Sequence, residues 1–416
     1  MTPLGRLLIG SQFAFNTGFF AVLPYLAEHL TGTLGLSGAV VGLVLGLRTF
    51  SQQGLFVVGG LLTDRYGPRP VVLVGCALRV AGFCWLASAT GVASVVGAVA
   101  LVGFAAALFS PAVESEITRE ALRIEHAGGP RRTRTLARFA AGGQAGALIG
   151  PAAGSLLLAW GGDTAFRSAC FAGAAVFVLV FAAHTLLMPR KDGNGSGTPP
   201  GGEGVRTTVR LVLGHRRFLR LTVAYAAYLL AYNQLYLALP AELERSTGSQ
   251  AALGWLFALS ATLVVCASGP VEKLAATRLD HPGTARAGLL VIAVSFAAAA
   301  LLRPLEGIGA ALAFTVLLTL GQMLILPAAR AMLPDLVDHR HLGLFTGALS
   351  SLSGVAVLAA GAPLGALLDL GGSLPWLILG ALPLLALTAV PTTRPGERAQ
   401  STAAAGRRSP GETSIS

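Results

Sequence analysis

Arg48 stands inside a long apolar stretch, in the run GLRTFSQQG. A charged side chain there is costly unless it faces a cavity or a charged partner. Gln52 follows one helical turn later on the same face, and no acidic residue stands at an equal depth to form a structural ion pair. We therefore expect Arg48 and Gln52 to face a binding cavity, with a structural ion pair as the alternative. Arg79, in the next apolar segment, fits either role.

A row of tyrosines forms a second candidate surface. It holds four of the six tyrosines in the chain, spaced three, four and four residues apart on one helix face. Hydroxyls in an apolar setting need hydrogen-bond partners or water, so a cavity wall is favoured over ordinary packing. An aromatic cavity with few charges suits bulky, amphipathic or weakly cationic compounds. The residues concerned are Tyr225, Tyr228, Tyr232 and Tyr236, with Asn233 beside them and Phe13, Asn16 and Phe20 near the N-terminus.

Composition indicates what must position these side chains. The 416 residues are 54% hydrophobic and 12% charged, with a mean hydropathy of +0.69, whereas a soluble domain is about 25% charged. Apolar stretches approach the ~20 residues that cross a bilayer as a helix. Short alternating segments typical of a β-barrel do not occur. We predict an all-α integral membrane protein.

Twelve apolar segments are long enough to span a membrane. They lie near 7–30, 37–62, 70–90, 92–115, 137–160, 166–188, 217–240, 252–271, 284–303, 308–332, 342–368 and 373–391. A segment rich in Gly, Pro and Ser divides them into two sets of six. The predicted units are an N-terminal six-helix bundle (1–190), a cytoplasmic linker (191–214), a C-terminal six-helix bundle (215–392) and a disordered cytoplasmic tail (393–416).

The basic residues predict topology rather than nucleic-acid binding, despite a net charge of +11. With both termini in the cytoplasm, only Arg167, Arg245 and Arg303 fall outside. Arg48 and Arg79 lie within spans, and the remaining 25 of the 30 Lys and Arg are cytoplasmic. This asymmetry follows the positive-inside rule. We expect a multi-pass protein of a bacterial cell membrane.

An internal repeat supports two related halves. The first span reads FNTGFFAVLPYLAEHLTG and the seventh reads YNQLYLALPAELERSTG, which align with a one-residue gap. Duplicated six-helix halves are a transporter architecture, with a substrate site between them near the bilayer midplane.

The stretch GGLLTDRYGPRP joins the second and third spans. It resembles the loop signature of the major facilitator superfamily, G-x-L-x-D-R-x-G-R-R/K, although Thr63 and Pro68 depart from it. The resemblance implies a conformational latch between the two halves, for which Glu114 and Glu116 are candidate partners; a merely solvated loop is the alternative. We expect the glycines to allow close helix approach and a tight turn. The matching residues are Gly60, Leu62, Asp64, Arg65, Gly67 and Arg69.

The fifth span contains GGQAGALIGPAAGS, with glycine at every fourth position from Gly142. This spacing predicts a face that lets another helix approach closely. The run also resembles the antiporter motif of the same superfamily, with Ala137 and Ser155 departing from it, and the resemblance favours export over import. The residues in register are Gly146, Gly150, Pro151 and Gly154.

Residues 42–83 look like the twelve-span multidrug exporters of this superfamily, in the MdtH branch. Such exporters often carry an acid in the first span, but SQFAFNTGFF has none. The remaining candidates for proton coupling are Glu28, Glu114 and Glu116. Each has an alternative role as a charge at the end of a span.

We predict a monomeric secondary transporter that exports small amphipathic compounds by alternating access. Proton antiport is implied by the resemblance. Uptake of a small metabolite and a non-transporting membrane sensor or scaffold are the alternatives. An enzyme is disfavoured because no paired catalytic groups converge at one depth. No metal site, cofactor or nucleotide motif is expected from the sequence.

Overall fold

The chain folds into helices. The computed structural model describes residues 2–161, 164–189, 205–337 and 342–392, and these ranges contain helices and turns but no β-strand. A helix satisfies every backbone N–H and C=O within its own segment, which an apolar chain in a bilayer requires. The predicted all-α membrane fold is confirmed.

In the part of the chain that the structure describes, twelve helices correspond to the twelve predicted spans. They are α1 (Pro3–Thr33), α2 (Gly38–Tyr66), α3 (Pro68–Ala87), α4 (Val92–His126), α5 (Arg132–Gly161), α6 (Ala165–Leu187), α7 (Arg216–Thr247), α8 (Leu253–Arg278), α9 (His281–Leu302), α10 (Gly309–Leu336), α11 (Leu342–Asp369) and α12 (Leu374–Ala389). Within the described ranges, nine helices are individually long and apolar enough to cross a membrane. The other three are α5, α7 and α12; α7 carries many polar side chains and α12 is short.

Two six-helix bundles arise from repeated pairings. In the first bundle α1 packs against α5, and α3 packs against α4 and α6. In the second, α7 packs against α11, and α9 packs against α10 and α12. Each helix pairing in the second bundle matches a pairing in the first bundle with both helix numbers raised by six, so the two bundles are pseudo-symmetric. The bundles meet through α2 with α11 and through α5 with α8, a pair of contacts related in the same way.

The predicted linker and tail are only partly covered. Residues 191–204 and the tail from residue 393 lie outside the described ranges, while Val205–Gly214, the last part of the predicted linker, forms a helix that precedes α7. The domain boundaries themselves stay a prediction.

Close contacts hold the bundles together at one end of the molecule. We call the end that holds the loop after α2 the Asp64 end, and the opposite end, which holds the residues after α1, the Glu28 end. Near the Glu28 end, Gly42 of α2 meets Gly361 of α11, and a Cβ on either would overlap the carbonyl oxygen of the other. The backbone N–H of Gly38 donates to the Asp369 carboxylate at 3.2 Å. Small residues permit such backbone approach between membrane helices.

The same seam continues toward the centre. Ser351 Oγ of α11 donates to the carbonyl oxygen of Gly54 at 2.7 Å. On the other side of the molecule Gly254 of α8 faces α1 and α5, where an added Cβ would lie 2.7 Å from the Tyr25 hydroxyl oxygen. Both interfaces between the bundles are therefore closed at the Glu28 end.

Replacing Gly42 by Val is expected to separate the bundles at the Glu28 end. Non-bonded atoms need about 3.5–4.0 Å, so spin labels at the exposed Thr31 and Leu370 should move about 2 Å or more apart, as measured by double electron–electron resonance in a cysteine-free background. Gly269→Val is the matched control, because an added Cβ at Gly269 meets open space. Identical distance distributions for the two variants would contradict the assignment.

Candidate functional site

A cavity of about 210 Å³ lies between the bundles, near the middle of α1, α2 and α7. Five aromatic rings and four side-chain amides border it. Among the described residues that line it, Arg48 is the single charged group. The lining consists of Phe15, Asn16, Phe19, Phe20, Arg48, Thr49, Gln52, Gln53, Leu229, Tyr232, Asn233 and Tyr236.

A local widening of α2 places its amides at this cavity. The segment Phe50–Gly54 forms a π-helical turn, and it carries both Gln52 and Gln53. Single π-helical turns inside α-helices are frequent at functional sites. Just before this turn, the Thr49 hydroxyl lies 3.2 Å from Asn233 Oδ1 of α7. This hydrogen bond joins the two bundles at the cavity.

The side chain of Arg48 is almost enclosed, with 8% exposed. Its Cζ lies 4.8 Å from the Phe19 ring centroid and 5.3 Å from that of Tyr236. Aromatic faces stabilise a guanidinium through cation–π attraction. Within the described chain its Nε has no hydrogen-bond partner. The structure therefore holds Arg48 at the cavity by rings rather than in a structural ion pair.

Arg79 lies behind the cavity wall and is 1% exposed. Its Nη1 donates to the carbonyl oxygen of Val102 in α4 at 2.6 Å. Four phenylalanine rings surround its Cζ at centroid distances of 4.6–5.6 Å, namely those of Phe15, Phe19, Phe83 and Phe177. Phe19 thus contacts both arginines. Arg79 does not line the cavity, and its contacts bind α3 to α4.

The tyrosines form a continuous row along α7, in which successive rings are tilted or edge-on to one another. Successive ring centroids from Tyr225 to Tyr236 lie 5.6, 6.1 and 5.9 Å apart, and the hydroxyl oxygens of Tyr232 and Tyr236 are 3.4 Å apart. Tyr232 and Tyr236 border the cavity. Tyr225 and Tyr228 are buried outside its lining.

Seven of the eight residues predicted to bind substrate surround this one cavity, and Tyr228 is the exception. The seven are Asn16, Phe20, Arg48, Gln52, Tyr232, Asn233 and Tyr236. Their role in binding stays a prediction.

The sequence placed some aromatic residues wrongly. Phe13, which was expected on the same surface, is not in the lining. Phe15 and Phe19 line the cavity but were not predicted, although their four-residue spacing was a visible signal. No sequence signal pointed to Thr49, Gln53 and Leu229, because their placement depends on helix rotation and on the π-helical turn.

The glycine face of α5 packs against α1. A Cβ at Gly146 would lie 2.9 Å from the Asn16 Cβ, and one at Gly150 would lie 2.8 Å from the Phe20 Cβ. Asn16 Nδ2 donates to the carbonyl oxygen of Gly143 at 2.8 Å. The glycine face therefore positions Asn16 and Phe20, two of the four cavity residues of α1, and it makes the close helix contact that its spacing predicts. Its link to antiport stays a prediction.

The loop after α2 turns at Gly67, whose φ of 83° favours glycine. The expected close helix approach does not involve Gly60, where an added Cβ would meet open space. Its neighbour Gly59 makes that approach instead, against the carbonyl oxygen of Ala107 in α4. The expectation for Gly60 was wrong because the rotation of α2 cannot be read from a pair of adjacent glycines.

The other charged residues of the motif lie in the last turn of α2 and the first turn of α3. Arg69 Nη2 donates to the carbonyl oxygen of Thr185 at 2.7 Å, and Arg65 Cζ lies 5.3 Å from the Tyr66 ring centroid. Asp64 is 72% exposed and lies 3.8 Å from Arg119 Nη2 of α4.

Glu116 and Glu114, the candidate partners of the loop, lie in different settings. Glu116 is buried and pairs with Arg119 at 3.4 Å and Arg123 at 3.2 Å. Arg119, one helical turn further along α4, pairs with both Glu116 and Asp64. Glu114 is exposed. Neither acid borders the central cavity.

Glu28, the third candidate for proton coupling, lies in a separate cavity at the Glu28 end. This cavity of about 380 Å³ is formed by both bundles, and Glu244 and Asp369 also border it. None of the three proton-coupling candidates therefore borders the central cavity, and their role stays a prediction.

Comparison with known proteins identifies relatives over most of the chain. Residues 8–325 and 221–415 match the Major Facilitator Superfamily. An uncharacterized MFS-type transporter of Mycobacterium tuberculosis is 33% identical over 400 residues, which cover 92% of this chain and 91% of the relative. Multidrug resistance protein MdtH of Yersinia pestis is 31% identical over 380 residues, 89% of each chain.

Solved structures share the architecture. A peptide transporter POT in complex with sulfate has a TM-score of 0.73 and 19% identity, covering 97% of this chain and 94% of its own. The nucleoside transporter NupG has a TM-score of 0.72 and 14% identity, covering 94% and 98%. At these identities the likeness shows the fold alone.

Replacing Gly146 by Val is expected to wedge α5 away from α1. Overpacking of this kind costs about 1–3 kcal/mol, so the melting temperature of the purified protein should fall by several degrees. Gly10→Val is the matched control, because Gly10 is exposed on α1 and an added Cβ there meets open space. Equal melting temperatures in the two variants would refute the packing role.

Proposed function

Because the chain belongs to the major facilitator superfamily, we propose that this membrane transporter exports small amphipathic compounds of the drug or antibiotic type. The central cavity is the observation that carries the proposal. Aromatic rings and polar side chains both line it, and such a lining suits a compound with an apolar and a polar part. The aromatic rings would hold the apolar part of a compound, and the amides and Arg48 its polar part.

Two features support export over uptake. The glycine and proline run of α5 resembles an antiporter motif, and a relative that covers most of the chain is a multidrug resistance protein. Transport would proceed by alternating access, with the two bundles rocking about the central cavity.

The charge asymmetry supports an orientation. The excess of Lys and Arg at the Asp64 end would place that end, and both termini, in the cytoplasm of a bacterial cell. The bundles are in contact at the Glu28 end, so that end would be closed toward the outside of the cell. Closure of the Asp64 end would bring the exposed Asp64 loop toward the second bundle, where it would act as the latch.

Proton antiport is the proposed energy source. Glu28 is the most suitable of the three candidate acids because it borders both bundles at an interface that opens and closes during alternating access. Glu116 is held by two arginines of its own helix. We take the transporter to act as a monomer, with both proton and substrate paths within one chain.

Dye accumulation in cells that express the protein tests the proposal. We expect lower accumulation of amphipathic dyes, and we expect a protonophore or Asp64→Asn to abolish the difference. The exposed Asp64–Arg119 pair contributes about 0–1 kcal/mol to stability, so loss of transport would reflect the latch rather than unfolding. Glu272→Gln, an exposed acid of the second bundle, is the matched control and should retain export.

Unchanged accumulation across cationic, zwitterionic and anionic dyes, with the protein verified in the membrane, would refute drug export. Increased accumulation of a small metabolite would instead establish uptake.

A further inference from the structure

We propose that the exported compound is an organic anion, whose carboxylate or similar acidic group binds Arg48 while its apolar part lies against the aromatic rings of the central cavity. This inference rests on the proposed function and specifies its substrate class. It replaces the expectation that the cavity suits weakly cationic compounds.

The charges at the cavity have one sign. Arg48 is the single charged group among the described lining residues, and its guanidinium lies over two rings that border the same cavity. Its Nε finds no hydrogen-bond partner in the described chain, and neither do Nε and Nη2 of Arg79, but of the two arginines only Arg48 borders the cavity. A guanidinium is always charged and offers five donors in a planar fork that matches a carboxylate. An anionic ligand in the cavity would supply an acceptor to this guanidinium.

Arg79 adds a second fixed positive charge. Both Cζ atoms lie 4.8 Å from the Phe19 centroid, so they are at most 9.6 Å apart. Arg79 binds a carbonyl oxygen and four rings, none of which carries a negative charge. Two like charges in a low-dielectric interior disfavour a cation in the space beside them and favour an anion.

The neutral polar groups at the cavity are suited to an anion as well. The Thr49 hydroxyl lies 3.2 Å from Asn233 Oδ1 and 3.0 Å from the Leu45 carbonyl oxygen, and the Asn233 amide carries two N–H donors. Gln52 and Gln53 contribute further amides, and Tyr232 contributes a hydroxyl. Charge-assisted hydrogen bonds from such donors are stronger than neutral ones.

An anionic substrate also explains why no acid is needed beside it. An inside-negative membrane potential favours outward movement of a negative charge. If one proton enters for each monovalent anion that leaves, both movements carry positive charge inward. The potential then drives transport together with the pH gradient, and a carboxylate in the cavity would only repel the substrate.

Three naphthalene compounds that differ in charge test the proposal on the purified full-length protein. They are 2-naphthoate, 2-naphthamide and 2-naphthylmethylammonium, and equilibrium dialysis with naphthalene fluorescence measures their affinities. We expect naphthoate to bind about tenfold or more tightly than the other two, because hydrogen bonds to a charged group exceed neutral ones by that order. Equal binding of the three compounds, or no naphthoate binding, would overturn the proposal.

Substitutions assign the effect to one side chain. Arg48→Gln should weaken naphthoate binding about tenfold or more and leave naphthamide unchanged, and Arg48→Lys should retain part of the affinity because it keeps the charge but loses the planar fork. Arg138→Gln, an exposed arginine of α5, is the matched control and should have no effect. Naphthoate affinity within twofold in Arg48→Gln would overturn the assignment. The comparison of charges on the unaltered protein remains decisive if that variant does not fold.

The outcomes separate this inference from the proposed function. Export of cationic dyes by a protein that does not prefer naphthoate would refute the anionic substrate and leave export intact. Arg48-dependent naphthoate binding without transport of naphthoate or dyes in proteoliposomes would support the anion site and refute export.

Discussion

The cost of holding two arginines inside an apolar bundle organises the middle of this molecule. A buried guanidinium must be compensated by hydrogen bonds or by aromatic faces. Arg79 receives a backbone carbonyl and four phenylalanine rings, and these contacts bring α3, α4 and α6 around α1. Arg48 shares one of the same rings but borders open space. The difference separates a structural arginine from one that is available to a ligand.

The small residues around this centre determine how the bundles can move. Glycines of α5 fix α1 within the first bundle, whereas glycines of α2 and α11 form the contact between bundles. Backbone contacts without large side chains create little interlocking and can separate as rigid surfaces. The cavity lies beside these contacts, between α1 and α2 of one bundle and α7 of the other. Substrate recognition and bundle contact therefore share the same helices.

The sequence predicted the fold and family because apolar length, charge asymmetry and the loop signature are local patterns. It also predicted most of the cavity residues, because a charged side chain or a row of polar side chains in an apolar helix can be tolerated in only a few environments, and a cavity is one of them. The sequence did not predict which residues of a helix face the cavity or a neighbouring helix, because that depends on the rotation of the helix. Gly59 rather than Gly60 meets α4, Tyr228 lies one turn from the lining, and the π-helical turn of α2 has no periodic signal. Glu116 pairs with arginines of its own helix, which motif resemblance alone does not reveal.

The central claim is that a guanidinium in the cavity between the bundles binds the acidic group of the substrate. A crystal structure with 6-bromo-2-naphthoate tests it most directly, because anomalous scattering locates the bromine and the electron density orients the carboxylate. The account predicts the ring between α1, α2 and α7 with a carboxylate oxygen about 2.7–2.9 Å from the guanidinium of Arg48. A ligand bound elsewhere, or one whose carboxylate points away from Arg48, would contradict it.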